Sequence, residues 1–129
     1  MPTATAARPQ AWAGLECTVN RVGDTYHDQL ARNGHDGRPD DLDRLADLGV
    51  AAVRFPILWE RHPTLPFGEI DWRWADGRMA RLRRRGVRPV VGLVHHGSGP
   101  PHTSLADPDF PAGLATFAAK VAERFPWAD

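Results

Sequence analysis

Apolar residues in this chain fall into short continuous runs separated by spaced, helix-like stripes. Trp12–Val19 is a mixed run that predicts a first strand, and Val50–Phe55 predicts a second. Arg88–Val94 predicts a third, its apolar positions nearly continuous as expected for a strand covered on both faces. Between the runs lie helical patterns. Pro39–Leu48 has proline in the first turn, Asp40 and Asp41 at the positive end of the dipole, and Gly49 as a stop. Asp71 suits an N-cap for a helix turning Trp72, Ala75, Met79 and Leu82 inward and closing at Gly86. The clearest stripe is Leu114, Phe117, Ala118, Val121, Ala122 and Phe125, which form one continuous helical face that Pro126 ends. The intervening segments 20–37, 62–70 and 97–108 are rich in Gly, Pro, Asp, Asn and His and read as loops.

Two of the helix-to-strand junctions repeat. Leu45-Ala-Asp-Leu-Gly-Val and Leu82-Arg-Arg-Arg-Gly-Val each place a leucine four residues before a Gly-Val pair, at an offset of 37 residues. A (β/α)8 barrel averages roughly 31 residues per unit, so a longer loop accounts for the difference. The order βαβαβα implies parallel strands with right-handed crossovers. The loops after the strands are long and polar, whereas the turns before the second and third strands are little more than one glycine. That asymmetry suits a barrel enzyme and also an open doubly wound sheet. No Gly-x-Gly-x-x-Gly follows the first strand, which weakens the dinucleotide-binding alternative. The expected fold class is therefore α/β, a partial (β/α)8 TIM barrel comprising the first three βα units. Residues 1–11 are expected to be a loose start, and 12–129 one folded unit.

Composition narrows the partners. The formal net charge of zero offers no electrostatic case for nucleic acid or a membrane surface. The basic cluster Arg78, Arg81, Arg83, Arg84, Arg85 and Arg88 has acidic neighbours and no interleaved aromatics, so it reads as a solvated helix face. Cys17 is the only cysteine, so no internal disulfide forms, and a reducing, cytoplasmic setting is expected. Met1–Gln10 lacks the apolar core of a signal peptide, and no run approaches the ~18 apolar residues of a membrane span.

The candidate chemistry sits at the strand ends. Arg54 lies inside an apolar run, where an unpaired buried charge is costly, so a carboxylate or a ligand is expected to meet it. Asn20 and Arg21 follow the first strand; Trp59, Glu60 and Arg61 follow the second; His95, His96 and Ser98 follow the third. Aromatic rings beside multidentate hydrogen-bonding groups suit sugar recognition, with rings on C–H faces and Asn, Arg and His on hydroxyls. Adjacent strand residues point to opposite faces, so His95 and His96 are not expected to share a metal, and no cofactor is expected. Glu16 and Glu60 read more readily as ion-pair partners than as a catalytic pair. His27, His35, His62 and His102 read as solvated loop histidines, and Trp72 and Trp74 as packing residues.

Three segments together resemble the amino-terminal part of a family 1 glycoside hydrolase, a retaining β-glycosidase barrel. Val53-Arg54-Phe55-Pro56-Ile57-Leu58-Trp59-Glu60-Arg61 is similar to the family's Tyr-Arg-Phe-Ser-x-x-Trp-x-Arg, and Leu93-Val94-His95-His96-Gly97-Ser98-Gly99-Pro100 to its Leu-x-His-Trp-x-x-Pro. Trp12–Gly23 keeps the Trp and final Gly of the family's first-strand motif, with Asn20 where the family has a sugar-binding Gln. The resemblance implies that Arg54 supports a catalytic nucleophile and that Asn20, Trp59, His95 and His96 belong to a sugar pocket. Asn for Gln, Pro56 for Ser and His96 for Trp depart from the pattern and imply a divergent pocket. Retaining chemistry needs two carboxylates roughly 5–5.5 Å apart. The resemblance implies that both lie beyond Asp129, so the isolated chain is expected to be inactive and to read as a fragment. The other readings are a small non-catalytic carbohydrate-binding α/β protein, and an assembly piece that self-associates through open sheet edges.

Overall fold

A computed structural model describes residues 8–64 and 67–129. The sheet is parallel and three-stranded, in the order β1 (Trp12–Gly14), β4 (Ala52–Pro56), β5 (Arg88–Gly92). Its register aligns Gly14 with Arg54 and Arg54 with Val90. Between β1 and β4 the chain forms an antiparallel hairpin, β2 (Val19–Val22) and β3 (Thr25–Asp28), then α1 (Gln29–Arg32) and α2 (Asp41–Asp47). Helix α3 (Arg73–Arg84) links β4 to β5, and α4 (Phe110–Arg124) follows β5. The βαβαβα order and parallel pairing are as the apolar pattern implies. The expected loose start at 1–11 lies partly outside the described residues. It also runs up against β1, since Ala11 O accepts the Ala51 N–H at 2.8 Å.

The repeated Leu…Gly-Val junctions are two copies of one helix stop. Gly49 and Gly86 take φ of 78° and 67°, a region where a side chain is strained. Val50 N donates to Leu45 O, and Val87 N to Leu82 O; Gly49 N and Gly86 N donate to Ala46 O and Arg83 O. These six-to-one and five-to-two bonds form the Schellman arrangement, and the leucine and valine of each copy lie in the core or pack against it. The strand then begins at once, which is why these turns are so short.

The buried faces of the helices meet β4 in one core. Leu30 from α1, Leu42 from α2, Ala75, Met79 and Leu82 from α3, and Phe117 and Val121 from α4 join Val53 and Phe55 in a single cluster. Trp72 and Trp74 pack as expected: Trp74 stacks on Phe55 with centroids 5.6 Å apart, and Trp72 on Phe117 at 6.2 Å. Asp71 acts one residue earlier than a simple N-cap. Its carboxylate accepts from Arg73 N at 3.1 Å and pairs with the Arg73 side chain, which holds its pKa at about 2.

One expectation is corrected. Segment 20–37 is not a loop, because it contains the β2–β3 hairpin and α1. The hairpin turns through Gly23-Asp24, with Gly23 at φ 59° supplying the left-handed residue that a two-residue connection requires. Arg83, Arg84 and Arg85 at the end of α3 are exposed, and the arginines there meet acidic neighbours. Arg81 pairs with Asp40 and Asp43, and Arg85 with Asp47, which laces α3 to α2.

Candidate functional site

Alternation along β4 positions Arg54. Val53 and Phe55 point into the helix-covered core, so Arg54 between them points to the opposite face. There it is exposed, which corrects the expectation of a buried guanidinium needing a partner. The same face explains Gly14. A Cβ built there would lie 3.3 Å from Arg54 Nη2, so the missing side chain lets the guanidinium lie over β1.

Two other charged groups share this neighbourhood. Glu16 lies two residues beyond β1 and accepts the Thr18 N–H at 3.0 Å. Its pKa is lowered, first by Thr18 and then by His95 and Arg54. The pKa of His95 is lowered by partial burial, then by Arg54 and His96, with Glu16 opposing. Arg54, Glu16 and His95 therefore lie near enough to bias one another's charge.

His95 and His96 do not alternate as strand residues would. Strand β5 ends at Gly92, and His96 takes φ 55°, an uncommon conformation for a side-chain-bearing residue. Their rings meet edge to face with centroids 4.6 Å apart. The argument from opposite faces is thus corrected: the pair converges because the chain has already left the strand. Among the described residues, no group of three or more His, Cys, Asp or Glu side chains is placed to hold a metal ion. Asn20 lies in β2 next to this segment, since Val19 N donates to His95 O at 3.4 Å.

Trp59 occupies a different setting. It begins a 3₁₀ turn, Trp59–Arg61, after β4, and its indole packs on Phe110 and Phe117 with centroids 5.6 and 6.2 Å away. Gly99 and Gly113 make room for it: a Cβ at Gly113 would lie 2.7 Å from the indole. The remaining indole surface lines an open groove of about 400 Å³ with His102, Thr103, Asp107 and Thr116. Trp59 therefore joins the core to a polar groove on the α4 side, apart from the contacts of Arg54 and His95.

The histidines expected in solvent divide. His35 is tied to Asp41, with Nδ1 2.6 Å from the carboxylate, and it lowers the Asp41 pKa. His62 is buried, 3% exposed, among Trp72, Trp74 and Phe117. Arg61 bridges Asp28 of the hairpin and Asp36 of the following turn, with its guanidinium over Trp74. Glu60 is half-buried, with Oε2 out of contact with solvent, and its pKa is raised first by desolvation. Sequence reasoning missed the burial at Glu60 and His62. Glu60 is closed in by Gly97 and Gly99 after β5, and His62 by Trp72 and Trp74 at the start of α3 together with Phe117 of α4, so neither cover lies next to the residue in sequence.

Fold and site together define an α/β protein with helices packed on one face of a parallel sheet and polar groups gathered on the other. Comparison with known proteins narrows that class. No family model matches the chain. It is 28% identical over 90 residues to a coniferin beta-glucosidase of Pinus contorta, the match covering 67% of this chain and 18% of that protein. It is 29% identical over 89 residues to beta-glucosidase 47 of Arabidopsis thaliana, covering 66% and 17%. Among solved structures it resembles an exo-beta-1,4-mannosidase, Op5Man5, from Opitutaceae bacterium strain TAV5. The TM-score is 0.53 at 22% identity, over 92% of this chain and 23% of that one. The chain thus spans less than a fifth of the curated relatives it matches. These matches support a distant, glycoside-hydrolase-like relationship, and the structural likeness speaks for the fold. No helix among the described residues is long and apolar enough to cross a membrane.

Proposed function

We propose that this chain is the amino-terminal portion of a β-glycosidase-like (β/α)8 barrel of the family 1 type and that it carries part of a sugar pocket. The observation that carries the reading is that Glu16 and His95 follow the carboxyl ends of β1 and β5 close to Arg54, which β4 turns away from the helix-covered core. A barrel places its ligand-facing groups at the carboxyl ends of its strands. Arg54 lies in the second strand of the sheet order, His95 follows the end of the third, and Asn20 and His96 flank them. The substrate class is carbohydrate, with Arg54 and the imidazoles offering hydrogen bonds to hydroxyl groups. In a complete barrel, Arg54 would lie beside a carboxylate nucleophile supplied by a later strand. Trp59 contributes through the packing that holds the end of β4, and its open surface is a second aromatic contact on the α4 side. The buried thiol of Cys17, raised in pKa by burial, is compatible with a reducing, cytoplasmic setting.

Two measurements test the reading. The pure 129-residue chain should show no turnover of aryl β-glucosides; measurable hydrolysis would overturn the assignment of both catalytic carboxylates to missing strands. Titration of labelled chain with methyl β-glucoside should move the NMR signals of His95 and His96 at millimolar sugar. Arg54→Ala should weaken that response several-fold, and an undiminished response in the variant would remove Arg54 from the pocket.

A second reading concerns assembly. The outer edge of β1 is unpaired among the described residues, and Trp12 beside it is 60% exposed. An open parallel edge with an exposed aromatic is a template for pairing with a second copy. Sedimentation should show association that rises with protein concentration and falls in Trp12→Lys; a strict monomer at high concentration would dismiss it.

A further inference from the structure

We infer that Glu60 is a positioning residue for the His95–His96 pair, holding the segment that follows β5 against the β2–β3 hairpin. Its Oε1 accepts the Gly99 N–H at 2.9 Å. Gly97 passes so close that a Cβ there would lie 2.0 Å from Glu60 Oε1 and 2.6 Å from Val19 O. The carboxyl group and the hairpin backbone therefore clamp Gly97 from two directions, and only glycine fits between them.

The clamp has further ties to the hairpin. Val19 N donates to His95 O, Tyr26 Oη donates to Gly99 O at 2.9 Å, and Arg21 Nη2 donates to Thr103 O at 2.9 Å. Residues 95, 99 and 103 are thus each pinned to β2 or β3. From the turn after β4, Trp59 N donates to Leu93 O at 2.8 Å at the start of this segment, and the Glu60 carboxylate is the side-chain pin that reaches past the histidines to Gly99. With Gly92 ending the strand on one side and Gly97–Gly99 clamped on the other, His96 is left in its left-handed conformation and its ring against His95. A conformation that is sparsely populated for a free chain persists only when its surroundings over-determine it. Glu60 Oε2 is buried without a hydrogen-bond partner among the described residues, so one carboxyl oxygen makes the contact and the other remains unsatisfied. A position filled only for packing would be served by an apolar side chain, without the desolvation cost of that second oxygen.

The interest of the clamp rests on the proposal that His95 and His96 face sugar. The test is chosen to stand apart from it, because it reads ring positions without any ligand. In the full chain with labelled histidines, Glu60→Ala should move the ring signals of both His95 and His96. It should also raise the His95 titration midpoint toward the ordinary histidine value as its ring becomes solvated. Glu60→Gln keeps an oxygen acceptor for the Gly99 N–H and should restore both signals. His35, fixed by Asp41, should stay unchanged throughout as the internal reference. Unmoved His95 and His96 signals in Glu60→Ala, or a failure of Glu60→Gln to restore them, would overturn the inference. If Glu60→Ala does not fold, Glu60→Asp withdraws the carboxylate by one methylene and is read the same way: shifted rings support the clamp and unshifted rings overturn it.

Discussion

Phe55→Ala should lower the unfolding free energy of the chain by roughly 3–5 kcal/mol, the usual cost of removing a buried aromatic ring and leaving a cavity. Phe55 is fully buried on the central strand of the sheet. Its ring stacks on Trp74 at an interplanar angle of 17°, and its cluster includes residues from all four helices. No single helix can move to fill the space, because Trp74 is itself held by its Nε1–H to Asp36 O and by the Arg78 guanidinium on its face. A domain of this size has only about 5–15 kcal/mol in total, so the substitution removes a large share of its stability. Urea titration followed by circular dichroism measures the loss. Phe55→Leu, which keeps most of the volume, should lose far less, about 1–1.5 kcal/mol. A loss under about 1 kcal/mol in Phe55→Ala would show that β4 is not the centre of the core.

The same strand shows what the sequence could and could not say about the site. The apolar run around Phe55 was legible as a strand because strand burial has a local signature. The face on which Arg54 emerges was not, since that depends on which side the helices cover. Reading Arg54 as a charge within an apolar run suggested a buried group. In the folded chain, period-two alternation carries it out of the core onto the side that lacks helices. The Leu…Gly-Val junctions were legible as stops because a Schellman turn needs only residues that are close in sequence. The β2–β3 hairpin could have been found the same way. Val22-Gly23-Asp24-Thr25 is a two-residue connection with glycine leading, between residues that alternate. It was obscured by the surrounding Asp, His and Asn, which are polar because β2 and β3 form a separate two-stranded sheet with much of its surface in solvent. The convergence of His95 and His96 had no local signal, because it depends on Gly97 being clamped by Glu60 and Val19.

His62 makes the acid stability of this chain steeper than its carboxylates alone would. Its Nδ1–H donates to Leu58 O at 2.7 Å, which fixes the neutral tautomer and leaves Nε2 buried without a partner among the described residues. Protonating that nitrogen would bury an uncompensated positive charge beside three aromatic rings. Burial is the main cause of its lowered pKa, and Arg61 adds repulsion, while Asp71 acts in the opposite sense. The unfolded chain takes up the proton near the ordinary histidine value of about 6.5, whereas the folded chain does so only at lower pH. Between those two values the unfolded state binds more protons. The contribution of His62 is therefore fully present above about pH 6.5 and is lost as pH falls toward the folded value, by at most about 1.4 kcal/mol per pH unit. Glu60 works the other way. Its raised pKa means that the folded chain binds the extra proton, so its term favours folding as the solution becomes acidic. Asp41 and Asp71, both lowered in pKa, exert their effect only at still lower pH. The histidine term is isolated by comparing the pH slope of unfolding free energy in the parent with that in His62→Phe. The substituted ring keeps the aromatic cluster filled and cannot titrate. The parent should lose stability more steeply than His62→Phe from pH 6.5 downward, whatever the difference in their stabilities at neutral pH. Equal slopes in the two proteins would mean that the imidazole reaches solvent when it titrates, and that the cluster of Trp72, Trp74 and Phe117 opens to admit it.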